Sequence, residues 1–171
     1  AIDIAAVTVA TTGLNAVRFL DTVAGGSIKV GGTFSAASST AVYFASTVDT
    51  DVTFTGSFTG GTGARAIHIV GDVSSTLTFT DVTAIGHATA GAQGLHLTTL
   101  TGGHIVVNGG AFSGDGNGIR VNGILDAAST FTMRPHSGAR TTATGTADAG
   151  ITFAAAVHGA VSLDGEFASS G

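Results

Sequence analysis

Pairs of apolar residues separated by one residue return along this chain every 24 to 32 positions, at Val17 and Phe19, Val42 and Phe44, Ile67 and Ile69, Leu95 and Leu97, Ile119 and Val121, and Ile151 and Phe153. Alternation with period two belongs to a strand that buries one face. A second pair follows each first pair, at Ile28 and Val30, Val52 and Phe54, Leu77 and Phe79, Ile105 and Val107, Phe131 and Met133, and Val161 and Leu163. One more apolar residue stands between the pairs, at Val23, Val48, Val73, Leu100, Leu125 and Val157, and a phenylalanine closes four of the repeats, at Phe34, Phe58, Phe112 and Phe167. A unit this short leaves no room for helices and is smaller than a propeller blade of about 40 to 45 residues. The periodicity predicts an all-β fold, a parallel β-helix of about six coils, each with about three short strands. Each strand then pairs with its equivalent one coil away, about 4.8 Å along the axis, and equivalent side chains form ladders.

Composition supports this and narrows the partners. Hydrophobic residues make up 43% of the 171 residues and charged ones 10%, the opposite of a disordered chain. Twenty-seven Gly with a single Pro and no Trp, among many Val, Thr and Ala, favour strands and tight turns. Gly25, Gly26, Gly31, Gly32, Gly60, Gly61, Gly102, Gly103, Gly109 and Gly110 are expected at turns with positive φ. A net charge of -5 gives no electrostatic footprint for nucleic acid or an anionic membrane. No run is long enough to span a bilayer, and the alternating first residues do not form a leader pattern. The absence of Cys removes disulfides and thiol chemistry. Ile2 and Ile4 stand 26 residues before Ile28 and Val30, so residues 1–171 read as one β-helical segment that starts and ends mid-coil, without caps.

Segments such as GGSIKVGGTFSA, TDVTFTGSFTGG and GGHIVVNGGAFSGDGNGIRV resemble the right-handed parallel β-helix superfamily, and within it the adhesin-like passenger domains of bacterial autotransporters and large surface proteins. The likeness runs over nearly the whole chain and lies in architecture and composition. It implies a right-handed coil, secretion or cell-surface location, and adhesion. The same fold also serves polysaccharide lyases, glycosidases and phage tailspikes, so function has to be argued from sites.

Catalysis on such a scaffold needs carboxylates gathered on an outward face. The outward column of the first strand reads Arg18, Tyr43, His68, His96, Arg120 and Thr152, and that of the second reads Lys29, Thr53, Thr78, Val106, Thr132 and Ser162. Neither contains an acid. The Asp residues, including Asp21, Asp49, Asp51, Asp72, Asp81, Asp115, Asp126 and Asp164, are expected mostly in turns that do not coincide between coils. Arg18, Tyr43, His68, His96 and Arg120 form a candidate ligand-facing stripe suited to acidic sugars or an acidic partner, set against the plainer reading of a solvated strand face. His68 and His96 as a shared metal site, Gly109–Asn117 as a calcium loop and Asp49 with Asp51 as a calcium pair are weaker than the corresponding plain readings, a packed face and solvated turns. No metal or other cofactor is expected.

Two repeats are long. Between Met133 and Ile151 lies an excursion with Arg134, Pro135, His136 and Arg140, a candidate binding loop, and a smaller one with His87 lies between Phe79 and Leu95. The expected role is structural and not enzymatic: a stiff segment of an extracellular adhesin or fibre, stacked on adjoining coils or head to tail on its own copies. The runner-up is a carbohydrate-active β-helix.

Overall fold

The computed structural model describes residues 1–87 and 91–169. No helix occurs among them, and the fifteen strands are all short or bent. In chain order they are β1 (Ile2–Thr11), β2 (Val17–Phe19), β3 (Val23–Ala36), β4 (Val42–Phe44), β5 (Val48–Thr62), β6 (Ile67–Val73), β7 (Thr76–His87) and β8 (Leu95–Leu100). They continue as β9 (His104–Gly114), β10 (Ile119–Val121), β11 (Thr130–Arg134), β12 (Thr142–Gly145), β13 (Ile151–Phe153), β14 (Ala160–Leu163) and β15 (Glu166–Ser169). Every strand-to-strand pairing between these elements is parallel, and the result is an all-β parallel solenoid of about six turns.

The first ladder runs β2–β4–β6–β8–β10–β13 and stacks Val17, Val42, Ile67, Leu95, Ile119 and Ile151 in register. The second stacks Ile2, Ile28, Val52, Leu77, Ile105, Phe131 and Val161. Val23, Val48, Val73, Leu100, Leu125 and Val157 align between them. The third ladder carries Val9, Phe34, Phe58, Ala84, Phe112, Ala143 and Phe167, so phenylalanine and alanine alternate from Phe58 onward.

Three short strands per coil is true of the last coils only. In β3, β5, β7 and β9 the second and third strands run together through a corner. Gly56 shows what the corner requires: its φ is +100°, and a Cβ there would stand 2.2 Å from the Gly32 carbonyl oxygen. A side chain is excluded both by the left-handed backbone and by the rung below. Of the glycines expected at positive φ, Gly31, Gly60, Gly61 and Gly103 lie outside that region. Gly61 is required for a different reason, because its Cβ would sit 2.2 Å from the Ala37 carbonyl carbon.

Phenylalanines fill the interior. Phe19 stacks on Phe44 at 4.3 Å, Phe54 on Phe79 at 4.7 Å and Phe34 on Phe58 at 5.4 Å, while edge contacts from Phe54 to Phe44 and Phe58 tie the ladders together. The inward residues of the middle coils are fully buried, whereas Ile2, Val157, Val161, Leu163 and Phe167 on the outer faces of the first and last coils are exposed. Coverage by a neighbouring coil, and not side-chain direction alone, is what buries a residue here.

Candidate functional site: a two-column polar face and a loop groove

The parallel register places Arg18, Tyr43, His68, His96, Arg120 and Thr152 on successive rungs of the first ladder, as the periodicity requires. Arg18 lies over the Tyr43 ring with its Cζ 5.7 Å from the centroid. Tyr43 meets His68 edge-on at 5.4 Å, and His68 stacks on His96 at 4.7 Å with the rings 6° from parallel. Rings stacked face to face hold their nitrogen lone pairs in two parallel planes that do not meet at one ion, which disfavours a metal shared by this pair. Among the described residues no three His, Asp or Glu side chains gather as metal ligands.

A second column flanks the first and was not recognised from sequence. It holds Asn15, Thr40, Arg65, Gln93 and Asn117, each two residues ahead of its first-ladder strand. Asn15 Nδ2 donates to the Thr40 carbonyl at 2.8 Å, Arg65 Nε to Gln93 Oε1 at 2.8 Å, and Asn117 Nδ2 to Thr152 Oγ1 at 2.8 Å. Arg120 Nη1 reaches Asn117 Oδ1 at 3.3 Å, and its nearest carboxylate oxygen, on Asp148, is 3.9 Å away. The signal in the sequence is a polar residue two positions ahead of five of the six first pairs, with Ala149 at the sixth.

Both histidines are uncharged at neutral pH. Burial, the Arg65 charge and His96 bring His68 down to about 3; burial, Arg65 and Arg120 bring His96 down to about 4. The positive charge of the face therefore comes from Arg18, Arg65 and Arg120. A consequence for stability follows. Below the ordinary histidine value of 6.5 the unfolded chain takes up protons that the folded one refuses until about 4 at His96 and about 3 at His68. Stability is thus full above pH 6.5 and falls as the pH drops from there toward 4, by up to about 1.4 kcal/mol per pH unit for a fully buried ring and less for the half-buried His68. Urea midpoints across this range should show the fall, and the double variant His68→Asn, His96→Asn should flatten it; an equally steep fall in the variant would assign the acid sensitivity elsewhere.

The long excursion is partly strand. Residues 142–145 form β12, which pairs with β9 and β15, so the insertion reduces to residues 135–141 between the second and third strands. Its cations separate: Arg134 Nε donates to Asn108 Oδ1 at 2.7 Å, whereas His136 and Arg140 line an open groove of about 530 Å³ with Asp81, Thr83 and Thr142. His136 Nδ1 is 2.9 Å from Asp81 Oδ2, and Arg140 Nη1 is 3.0 Å from Glu166 Oε1. Asp81 adopts φ +50°, and a Cβ on Gly109 would stand 2.5 Å from Asp81 Oδ1, so the pair closes only over a glycine. Ser137 Oγ is 3.4 Å from the same His136 nitrogen that Asp81 engages; a serine nucleophile would need the opposite nitrogen. In the smaller excursion His87 ends β7 opposite Thr62 and bridges to Ala64, and Ala88 to Ala90 lie outside the described residues.

Asp49, Asp51 and Asp72, like Asp81, lie inside strands and not in the expected turns. Asp49 Oδ1 accepts from Ser74 Oγ and Asp51 Oδ1 from the Thr76 amide, each at 3.0 Å and each on the next coil. Asp126 accepts from Ser129 Oγ at 2.6 Å and from the Gly102 amide, bonds that hold its carboxyl below the usual range. Of the Gly109–Asn117 segment, residues 109–114 belong to β9, and the Asn117 amide is committed to Ala149, Thr152 and Arg120.

With this geometry established, comparison with protein families, curated proteins and solved structures finds no match. The solenoid and its two polar surfaces are the whole basis for a functional reading.

Proposed function

We propose that the chain is a stiff, surface-exposed or filament-forming segment of an extracellular bacterial adhesin or fibre, with recognition of an acidic polysaccharide assigned to the Arg18–Arg120 face. The observation that carries this reading is the continuous dry core: every middle rung is buried on all three ladders, so bending the rod means separating coils whose apolar side chains are stacked. Six first-ladder rungs extend roughly 24 to 29 Å. The outer faces present unpaired strand edges and the exposed Ile2, Val161, Leu163 and Phe167, surfaces that receive adjoining coils of the same kind or another copy stacked head to tail.

The alternative, a carbohydrate-active β-helix, has less support because the two-column face is built from Arg, His, amides and hydroxyls and no acid stands in either column. Incubation with acidic polysaccharides, assayed for newly released chain ends, separates the two readings. The structural reading expects none beyond the buffer control; steady turnover would replace it with the enzymatic one.

A further inference from the structure

The outward side of the third ladder is a lattice of hydroxyl and methyl groups. One column runs Thr8, Thr33, Ser57, Thr83, Ala111 and Thr142; beside it, two residues further along each strand, stand Ala10, Ser35, Thr59, Ile85, Ser113 and Thr144. Nine of these twelve positions carry a hydroxyl and none carries a charge. Glu166, on the seventh rung, is the first ionised group in either column, and it is paired with Arg140. The second ladder also has outward threonines, but Lys29, Asp51, His104 and Arg134 interrupt them.

Rungs repeat about 4.8 Å along the axis, and alternate residues of one strand stand about 6.7 Å apart. The residue between the two columns points inward, and from Phe34 to Ala143 it is buried, with Phe34 stacked on Phe58, so the lattice has a rigid backing. All twelve side chains are exposed or partly exposed. Among the described residues, the hydroxyls that bond within the protein lie beside the lattice: Thr141 Oγ1 donates to the Arg134 carbonyl at 2.6 Å and Thr146 Oγ1 to the Asp115 carbonyl at 3.1 Å, whereas the nine on it have no protein partner. The 135–141 insertion borders the lattice at Thr83, Ala111 and Thr142. The column from Ser35 to Thr144 and the rungs from Thr8 to Ser57 are the open part.

The chemistry of this face narrows what it meets. Protein interfaces are enriched in Tyr, Trp, Phe, Met and Arg and depleted in Ser and Ala, the reverse of the lattice. A neutral polysaccharide stacks its sugar rings on aromatic side chains and an acidic one needs cations, and the two columns hold neither. Crystalline water fits: rows of oxygens on the prism faces of hexagonal ice repeat close to both lattice distances. A hydroxyl takes the place of a water by donating and accepting hydrogen bonds, and the methyls sit in the hollows between rows. We propose that the outward face of the third ladder is an ice-binding surface. Each contact is weak, but the stacked coils hold all of them in place beforehand, so little ordering cost remains on binding, and contacts linked on one rod act together. This face is separate from the Arg18–Arg120 stripe, and its failure would leave the reading of that stripe untouched.

The test is the ice affinity of the whole chain. Ice is grown slowly on a cooled probe in stirred solution, and the fraction of protein carried into it is compared with that of an inert protein of similar size, which growing ice rejects. The parent chain is expected to enter the ice and, in nanolitre osmometry, to hold faceted crystals across a gap between melting and freezing points. Thr59→Lys, in the open part of the lattice, should reduce incorporation to the rejected level and close the gap. Thr101→Lys, at an exposed position between the first and second ladders, should change neither. Rejection of the parent chain, parental incorporation of Thr59→Lys, or an equal loss in Thr101→Lys would overturn the proposal. Thermal melts check that each variant folds; if Thr59→Lys does not, Thr33→Lys, at an exposed position of the same lattice, takes its place with the same expected loss. Sedimentation with insoluble cellulose and chitin is run in parallel. Binding there that the lattice lysine abolishes, without incorporation of the parent into ice, would assign the face to a neutral polysaccharide and overturn the ice assignment.

Discussion

Ile67→Asp should unfold the rod or melt its middle coils, whereas Thr78→Asp should change stability by about 1 kcal/mol or less. Ile67 is fully buried between Val42 and Leu95 on the first ladder. A carboxylate there has no partner and no route to water, and it interrupts stacking on both sides, a loss on the order of 4 kcal/mol or more. Thr78 faces outward between Thr53 and Val106 and is only partly buried, so an added charge stays hydrated. Urea unfolding followed by far-ultraviolet circular dichroism compares the two. Equal midpoints would mean that the inside and outside of the coil are wrongly assigned.

The second large effect is expected at a glycine. Gly56→Ala places a Cβ 2.2 Å from the Gly32 carbonyl oxygen at a residue whose φ is +100°. Relief requires the corner of β5 to move off the rung below, and the third strand of that coil moves with it. The loss should be on the order of 3 kcal/mol or more. Gly13→Ala is the control: nothing lies within 4 Å of its added Cβ and its φ is not positive. That change should be neutral or stabilise by about 0.4 to 1 kcal/mol through the unfolded chain. If thermal melts show the two alanines to be alike, the coils are not in the contact that the register describes.

The ladders were legible because their information is periodic. Val17 through Ile151 and Ile28 through Val161 pair in the register that their spacing alone predicts. Where a rung substitutes a small residue the signal fails: Ala84 and Ala143 occupy the phenylalanine position of the third ladder, and an alanine is common enough elsewhere to carry no weight. The missed Ala143 is also why residues 142–145 read as loop. The stripe was visible as a column, but its electrostatics were not, since the neutrality of His68 and His96 comes first from burial and then from Arg65, a residue in a different column whose side chain crosses to the next coil. The Asp81–His136 pair joins residues 55 apart, and no local pattern marks a contact that depends on an insertion folding back over Gly109.

The most direct measurement of the central claim, that these coils stack in register into a rod, uses the absence of cysteine in the chain. Cysteine pairs placed at outward positions of the second ladder can be spin-labelled without background. Lys29, Thr78, Thr132 and Ser162 share one column, with Lys29 separated from the others by two, four and five rungs. Pulsed electron paramagnetic resonance on the three pairs that include position 29 should give backbone separations near 10, 19 and 24 Å, rising by about 4.8 Å per rung once label length is allowed for. Distances that fail to rise in that order, or that cluster at one value, would contradict the stacked solenoid and with it every assignment built on its columns.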